Sequence, residues 1–477
     1  MTTIPAASPH RARLRTGLVL AGAAGAAIVA ALLAQGRRPA TPPAGPAERP
    51  APPPRTATGL VVALPSTHLA AGPNETYLTA AITAPDATAT ARAPASIAIV
   101  IDRSGSMADD GKLAQAKAAA QALVDRLGPD DEATLISYDS RATVDVPLLA
   151  ADGAGKAALR AAIAALAPGG NTGISAALWA GSDELARAHK DVRRIVLLSD
   201  GKPTDGVTNP ADLIRFAGTR AETGVSISAI GMGLDYNEHV MAGIASAGRG
   251  NYYFVEQGTQ LAAMFVKELD TLGQTVIAAG DLRIDAAPGV TIVDVLGYSF
   301  ERLGPSAVRV PVADLRAKQQ TKVVVRLRTA LAPTTAGYRA GAVDVATVQW
   351  RYRLVGGGAV EAVADARAIV TADPTAVAAG RDATVVRMVE EARTAEAIDQ
   401  AAGEYADGRI ERAQQILRAR TTEAATAARE LGDADLDAKV RQYAGAAAAG
   451  FAAPPPSAAA AKSGVKARRA EAYDLAR

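Results

Sequence analysis

The run Ile97-Ala98-Ile99-Val100-Ile101-Asp102-Arg103-Ser104-Gly105-Ser106 passes in one step from an unbroken apolar segment to a cluster of short oxygen-bearing side chains. Five apolar residues in a row leave no polar face, so the segment reads as a strand buried on both sides, as in a parallel sheet covered by helices. The pattern repeats downstream. Ala133–Ser137, Ile195–Leu198, Val225–Ile230 and Tyr252–Val255 are short apolar runs, and helix-period stretches at Lys112–Leu127, Lys156–Leu166, Ile174–His189, Ala211–Thr223, Glu238–Ala247 and Leu261–Leu272 lie around them. Residues 95–275 therefore predict an α/β domain with a doubly wound, mostly parallel sheet.

On either side the periodicity changes to two. Leu60–Leu64 and the alternating Tyr77–Thr83 precede the α/β domain, with Gly72-Pro73-Asn74 as a turn between them. Val290–Leu296, Thr321–Arg328, Ala342–Tyr352 and Ala359–Val370 follow it. The later group predicts an antiparallel β-sandwich over 276–372. Two strands alone make no stable sheet, so the β segment 59–94 is expected to pair with that sandwich, and the α/β domain becomes an insertion in it. Residues 373–447 read as a helical region, and 448–477, rich in Ala and Pro, as a flexible tail.

The N-terminus has a different character. Arg11, Arg13 and Arg15 form a basic stretch within 1–15, and no charged side chain occurs from Thr16 to Gln35. Twenty helical residues rise about 30 Å, the thickness of a bilayer core, so 16–35 reads as a transmembrane signal anchor or a cleaved signal peptide. Eight prolines between Pro39 and Pro54 make 36–58 an extended spacer. The expected placement is a membrane-anchored protein with its body outside the cytoplasm, or a secreted protein after cleavage.

Composition narrows the chemistry. The 477 residues include no Cys and four scattered His, which removes disulfides, thiolate metal sites and cysteine nucleophiles. The net charge of +2 is the sum of +6 on residues 1–55 and −4 on the rest. A mildly acidic body has no field for a phosphate backbone, which argues against a nucleic-acid partner. Gly153-Ala154-Gly155-Lys156-Ala157 lacks the spacing and terminal hydroxyl of a phosphate loop, Gly231-Met232-Gly233 lacks a third glycine, and no Gly-x-Ser-x-Gly elbow is present. No catalytic residue is assigned, and the chain reads as a non-enzyme.

The oxygen-bearing residues are the informative ones. Asp102, Ser104 and Ser106 follow the first strand, Thr172 lies on the glycine-rich loop Gly169–Gly173, and Asp200 ends the strand Ile195–Leu198. Loops at the carboxyl ends of parallel strands meet at one edge of the sheet, so these five side chains face one point suited to a hard cation. Asp109 and Asp110 read instead as charges favoured at a helix N-terminus, Asp139 and Asp205 as loop hydrogen-bonding groups, and His189 and His239 as helix-surface residues.

With the run Leu197-Leu198-Ser199-Asp200-Gly201-Lys202-Pro203-Thr204-Asp205-Gly206, this set resembles the metal-ion-dependent adhesion site of von Willebrand factor A domains. The resemblance implies direct Mg²⁺ binding by Ser104, Ser106 and Thr172, with Asp102 and Asp200 acting largely through water; Mn²⁺ and Ca²⁺ suit the same donors. It also implies switching between metal states through the last helix, here Leu261–Leu272. The wider layout is similar to bacterial envelope proteins labelled calcium-activated chloride channel or inter-α-trypsin inhibitor relatives. The expected function is Mg²⁺-dependent protein binding, in adhesion or assembly, with an Asp or Glu of the partner completing the metal shell. The alternatives are an envelope scaffold in which the metal is structural, and a regulatory subunit of a channel or transporter.

Overall fold

The computed structural model describes residues 59–86, 92–332, 342–455 and 457–477. Along the chain the first strands are β1 (Gly59–Ala63), β2 (His68–Ala70), β3 (Gly72–Thr83) and β4 (Ala95–Asp102). A short 3₁₀ segment, Gly105–Gly111, leads into α1 (Lys112–Arg126), followed by β5 (Glu132–Tyr138), β6 (Ala142–Ala150), α2 (Gly153–Ala165) and α3 (Ile174–Leu185). Then come β7 (Val192–Ser199), α4 (Pro210–Ala221), β8 (Ser226–Met232), α5 (Glu238–Ala247), β9 (Arg249–Val255) and α6 (Leu261–Gly273).

The α/β sheet runs in the order β6-β5-β4-β7-β8-β9. All pairs are parallel except β5 with β6. Every residue of the central strand β4 is buried, and its side chains alternate between two cores. Ile97, Ile99 and Ile101 pack with Leu113 and Leu123 of α1 and Phe265 and Leu269 of α6. Ala98 and Val100 point the other way, into a core with Leu178 of α3, Leu213 of α4 and Val240 and Ile244 of α5. The strand is uniformly apolar because both of its faces are covered. The edge strand β6 is absent from the sequence reading: only Val146 in it is buried, and Asp145 and Pro147 interrupt its apolar residues.

Eight further strands follow: β10 (Thr275–Ala286), β11 (Val290–Leu296), β12 (Glu301–Arg302), β13 (Ala307–Val312), β14 (Leu315–Arg316), β15 (Gln320–Leu331), β16 (Ala342–Leu354) and β17 (Ala359–Thr371). One sheet has the order β1-β3-β15-β11, the other β12-β13-β10-β16-β17-β2, with β14 beside β10. β3 and β15 pair antiparallel along their whole length, from Gly72 opposite Leu331 to Thr83 opposite Gln320. Residues that precede and follow the α/β domain thus share one sheet, and Ala93 N–H donates to Gly273 O at 3.1 Å where its two ends meet. Leu78, Ile82, Val323, Val325 and Leu327 of the first sheet pack against Leu282, Ile284, Val308, Val348 and Trp350 of the second. Gly280 is required under Trp350, because a Cβ there would lie 2.2 Å from the indole ring.

The C-terminal part forms α7 (Pro374–Ala379), α8 (Ala383–Ala406), α9 (Ile410–Leu431), α10 (Ala434–Gly450) and α11 (Ala458–Ala476). Val389 and Ala392 of α8 pack on Leu296 and Val324 of the outer sheet face. The expectation of a flexible tail over 448–477 is corrected by α11. Its alanines are strong helix formers, the Ser457 hydroxyl caps it by accepting from Ala460 N–H at 3.1 Å, and Val465, Ala472 and Leu475 are buried in a core shared with Ile398, Leu417 and Phe451.

The membrane-anchored placement also requires correction. Among the described residues no helix is long and apolar enough to cross a membrane. The longest, α8, carries Arg387, Glu390, Glu391, Arg393, Glu396 and Asp399. The segment 16–35, on which the anchor, export and secretion expectations rested, lies outside the described residues, as does the spacer 36–58.

Candidate metal centre

Asp102 is the last residue of β4, and there the chain turns away from the sheet. Arg103 N–H donates to Tyr138 O at the end of β5 (2.8 Å), and Gly105 N–H donates to Gly170 O (3.0 Å). Arg103 O accepts from Gly169 N–H at 2.7 Å. Gly170 has φ +68°, and a Cβ there would lie 2.9 Å from the Asp139 side chain. The glycine-rich loop can therefore lie flat against the β4 and β5 loops. The loop after β7 is fixed to the same place, since Thr204 N–H donates to Thr172 O at 2.9 Å while the Thr204 hydroxyl accepts from Thr172 N–H at 3.0 Å.

These loops bring the five side chains together. Asp102 and Asp200 are fully buried, Ser104 and Thr172 nearly so. Asp102 accepts from Ser104 N–H and, on its other oxygen, from the Ser199 hydroxyl, both at 2.8 Å. The Ser104 and Ser106 hydroxyls share a hydrogen bond of 3.2 Å, and Ser106 donates to Asp200 Oδ1 at 2.8 Å. Thr172 closes the group around Gly201: a Cβ on Gly201 would lie 3.2 Å from Thr172 Oγ1 and 3.8 Å from Ser106 Oγ. The absent side chain leaves a small cradle lined by oxygens.

The electrostatics favour a cation there. Burial raises the Asp102 carboxyl to about 6, even though hydrogen bonds from Ser104 and Ser199 pull it down, and the charge of Asp200 adds to the rise. A divalent ion beside it reverses that logic by favouring the carboxylate. Among the described residues no three His, Asp or Glu side chains are placed to hold a metal ion by themselves, so the cradle differs from a carboxylate or imidazole cage in drawing on three hydroxyls. Three neutral hydroxyls with two carboxylates fit a hard, oxygen-seeking ion such as Mg²⁺, which keeps some water where the protein supplies fewer than about six oxygens.

The other singled-out residues sit elsewhere. Asp109 and Asp110 lie exposed in the 3₁₀ segment. Asp139 pairs with Arg103 at 2.7 Å, and Asp205 accepts from Gly206 N–H at 2.9 Å. His239 is on α5, but His189 is in the loop after α3, where its ring meets Glu132 at 3.2 Å.

One member of the centre is absent from the sequence reading. Lys112, the first residue of α1, places its ammonium 2.8 Å from Asp200 Oδ2. A signal existed: the first turn of α1 contains no acid, and a lysine at that end opposes the helix dipole unless an anion is close.

A family model for the von Willebrand factor type A domain matches residues 96–267. The chain is 28% identical over 215 residues to YfbK of Escherichia coli, covering 44% of this chain and 37% of that protein. It is 31% identical over 160 residues to inter-alpha-trypsin inhibitor heavy chain H4 of Bos taurus, covering 32% and 17%. These matches span less than half the length of either relative. Among solved structures, von Willebrand factor type A from Catenulispora acidiphila superposes with a TM-score of 0.63 at 22% identity, over 81% of this chain and 90% of that one. The ArnB paralog VWA2 from Sulfolobus acidocaldarius gives 0.58 at 16%, over 88% and 100%. At these identities the two structures share the fold alone. Domains of this type generally mediate protein–protein interaction, are typically non-enzymatic and commonly bind a divalent metal. From the family match, the parallel sheet and the loops at its carboxyl edge together, residues 96–267 of this chain are a von Willebrand factor type A domain.

Proposed function

We propose that this protein binds a protein partner through a divalent cation, Mg²⁺ in the first instance, held by Asp102, Ser104, Ser106, Thr172 and Asp200. The observation that carries the reading is the cradle at Gly201, where hydroxyls of two loops and a carboxylate of a third stand around a space no side chain fills. A cation on so few direct donors retains exchangeable water, and a carboxylate of the partner replaces it. The structural-metal alternative is disfavoured by the loops themselves: Gly105 with Gly170, Gly169 with Arg103, and Thr172 with Thr204 hold one another through hydrogen bonds made by protein atoms alone.

The test is affinity capture from an extract of the source cells, with wild type and Thr172→Ala as baits, in Mg²⁺ and in EDTA. Partners retained only by wild type in Mg²⁺ support the reading. Recovery of the same proteins in all four arms overturns it.

A further inference from the structure

The Lys112 side chain reaches the metal centre at Asp200. Its Nζ is 2.8 Å from Asp200 Oδ2 while Ser106 holds Asp200 Oδ1, so the carboxylate is fully engaged by protein groups. The contact is well sheltered, with the lysine side chain 14% exposed and Asp200 sealed. Asp235, on the loop after β8, and Asp110 both act on the ammonium through their charge, and the lysine Cε passes 3.7 Å from where a Cβ of Gly233 would lie. That loop is pinned by the C-terminal helix. Lys462 of α11 pairs with Asp235 at 2.7 Å, and Lys466 donates to Tyr236 O at 2.8 Å and to Glu238 at 2.9 Å.

We propose that Lys112 is a built-in competitor for the cation: its ammonium holds Asp200 when the metal is absent and moves toward Asp235 when the metal is bound. The charges give the arrangement a purpose. With Lys112, the two carboxylates of the centre sum to one negative charge without metal and one positive charge with a divalent ion. Without Lys112 the loaded centre would be neutral. The lysine therefore weakens the metal by offsetting one of the two carboxylate charges that hold it. Asp235 offers the ammonium a second anion, so α11, through Lys462, is mechanically tied to the metal centre.

This inference rests on the metal reading above, and one experiment separates the two. Mg²⁺ is titrated calorimetrically into the full chain as wild type, Lys112→Met, Lys112→Arg and Asp235→Asn, each checked by circular dichroism. Lys112→Met is expected to bind Mg²⁺ at least tenfold more tightly than wild type, Lys112→Arg within about threefold of it, and Asp235→Asn several-fold more weakly. Thermal unfolding in EDTA gives a second readout: Lys112→Met unfolds at lower temperature than wild type, and Mg²⁺ restores it. Equal or weaker Mg²⁺ binding by a folded Lys112→Met overturns the competitor role and leaves the metal reading standing. Should Lys112→Met not fold, Asp235→Asn decides, since it leaves the Lys112 contact with Asp200 in place; unchanged affinity there overturns the proposal. No binding of Mg²⁺ by any of the four overturns both.

Discussion

Glu268, midway along α6, accepts a hydrogen bond from Arg194 at the start of β7, and both side chains are shut off from solvent. The same guanidinium donates to Asp314 at 2.8 Å in the turn that joins β13 to β14. Asn251 and Tyr253 add donors to Glu268 at 3.0 and 2.7 Å. One arginine thus fastens the last helix of the α/β domain to a strand of its own sheet and to the sandwich. Burial of a charge is costly unless it is paired and hydrogen-bonded, and here the pairing is supplied from both sides.

Arg194→Met leaves two buried carboxylates without their cation. The expected loss is about 3–5 kcal/mol of unfolding free energy, read as a shift of the urea midpoint. A companion variant with Arg194→Met, Glu268→Met and Asp314→Leu together removes all three charges and is expected to recover most of that loss. Recovery failing in the triple variant would mean that the hydrogen bonds from Asn251 and Tyr253 outweigh the charge pairing.

Asp102 has the opposite balance, because its carboxyl is raised from 3.8 to about 6 by burial. The folded state then holds the proton more tightly than the unfolded chain does. The metal-free protein gains stability as pH falls from about 6 to about 4, and above pH 6 the ionised group costs on the order of 3 kcal/mol. Asp102→Asn is accordingly expected to raise the melting temperature in EDTA at neutral pH and to show none of the stabilisation by Mg²⁺ that the proposed metal reading expects of wild type. Thermal scans in the two buffers check both halves, and a variant that melts lower than wild type in EDTA contradicts the burial account.

The contrast between these residues shows what the sequence makes legible. β4 is readable because a strand covered on both faces must be apolar throughout, and Ile97–Ile101 satisfies that with no other element competing. Asp102, Ser104 and Ser106 are readable by spacing, and Thr172 and Asp200 by their positions at the carboxyl edge of the same sheet. Lys112 is hidden because its meaning depends on a contact with a residue 88 positions away. β6 is hidden because Asp145 and Pro147 break its apolar residues into short pieces. The helix α11 is hidden for a third reason: its Ala-rich composition is shared by helices and spacers, and only the buried Val465, Ala472 and Leu475 distinguish them.

Glu238, at the start of α5, is the acidic anchor of α11. Burial raises its carboxyl, but the hydrogen bond and charge of Lys466, joined by Arg469, overcome this and hold it below the usual range. A depressed carboxyl contributes stability that is present above the unfolded value of 4.5 and is lost as pH falls through the folded value. Glu238→Gln is expected to cost about 1 kcal/mol at pH 7 and to match wild type at a second, acid pH beneath the folded value, where the carboxylate of wild type is protonated as well. Hydrogen exchange of residues 458–476 at the two pH values locates the effect; protection that does not change there would separate α11 from this pair.

Gly201 offers the sharpest test of the cradle, because the substitution adds one methyl group and no charge. The Cβ of Gly201→Ala would stand 3.2 Å from Thr172 Oγ1 and 3.8 Å from Ser106 Oγ. The first distance requires the threonine to yield by a few tenths of an ångström, and no positive φ restricts the position, so the fold should persist with a cost of about 1 kcal/mol. The methyl occupies the space that a cation and its water need. Mg²⁺ binding measured calorimetrically is expected to fall at least tenfold, with circular dichroism unchanged. Should Gly201→Ala bind Mg²⁺ like wild type, the ion sits elsewhere, since a methyl group and a hydrated cation cannot share a pocket bounded by those two hydroxyls.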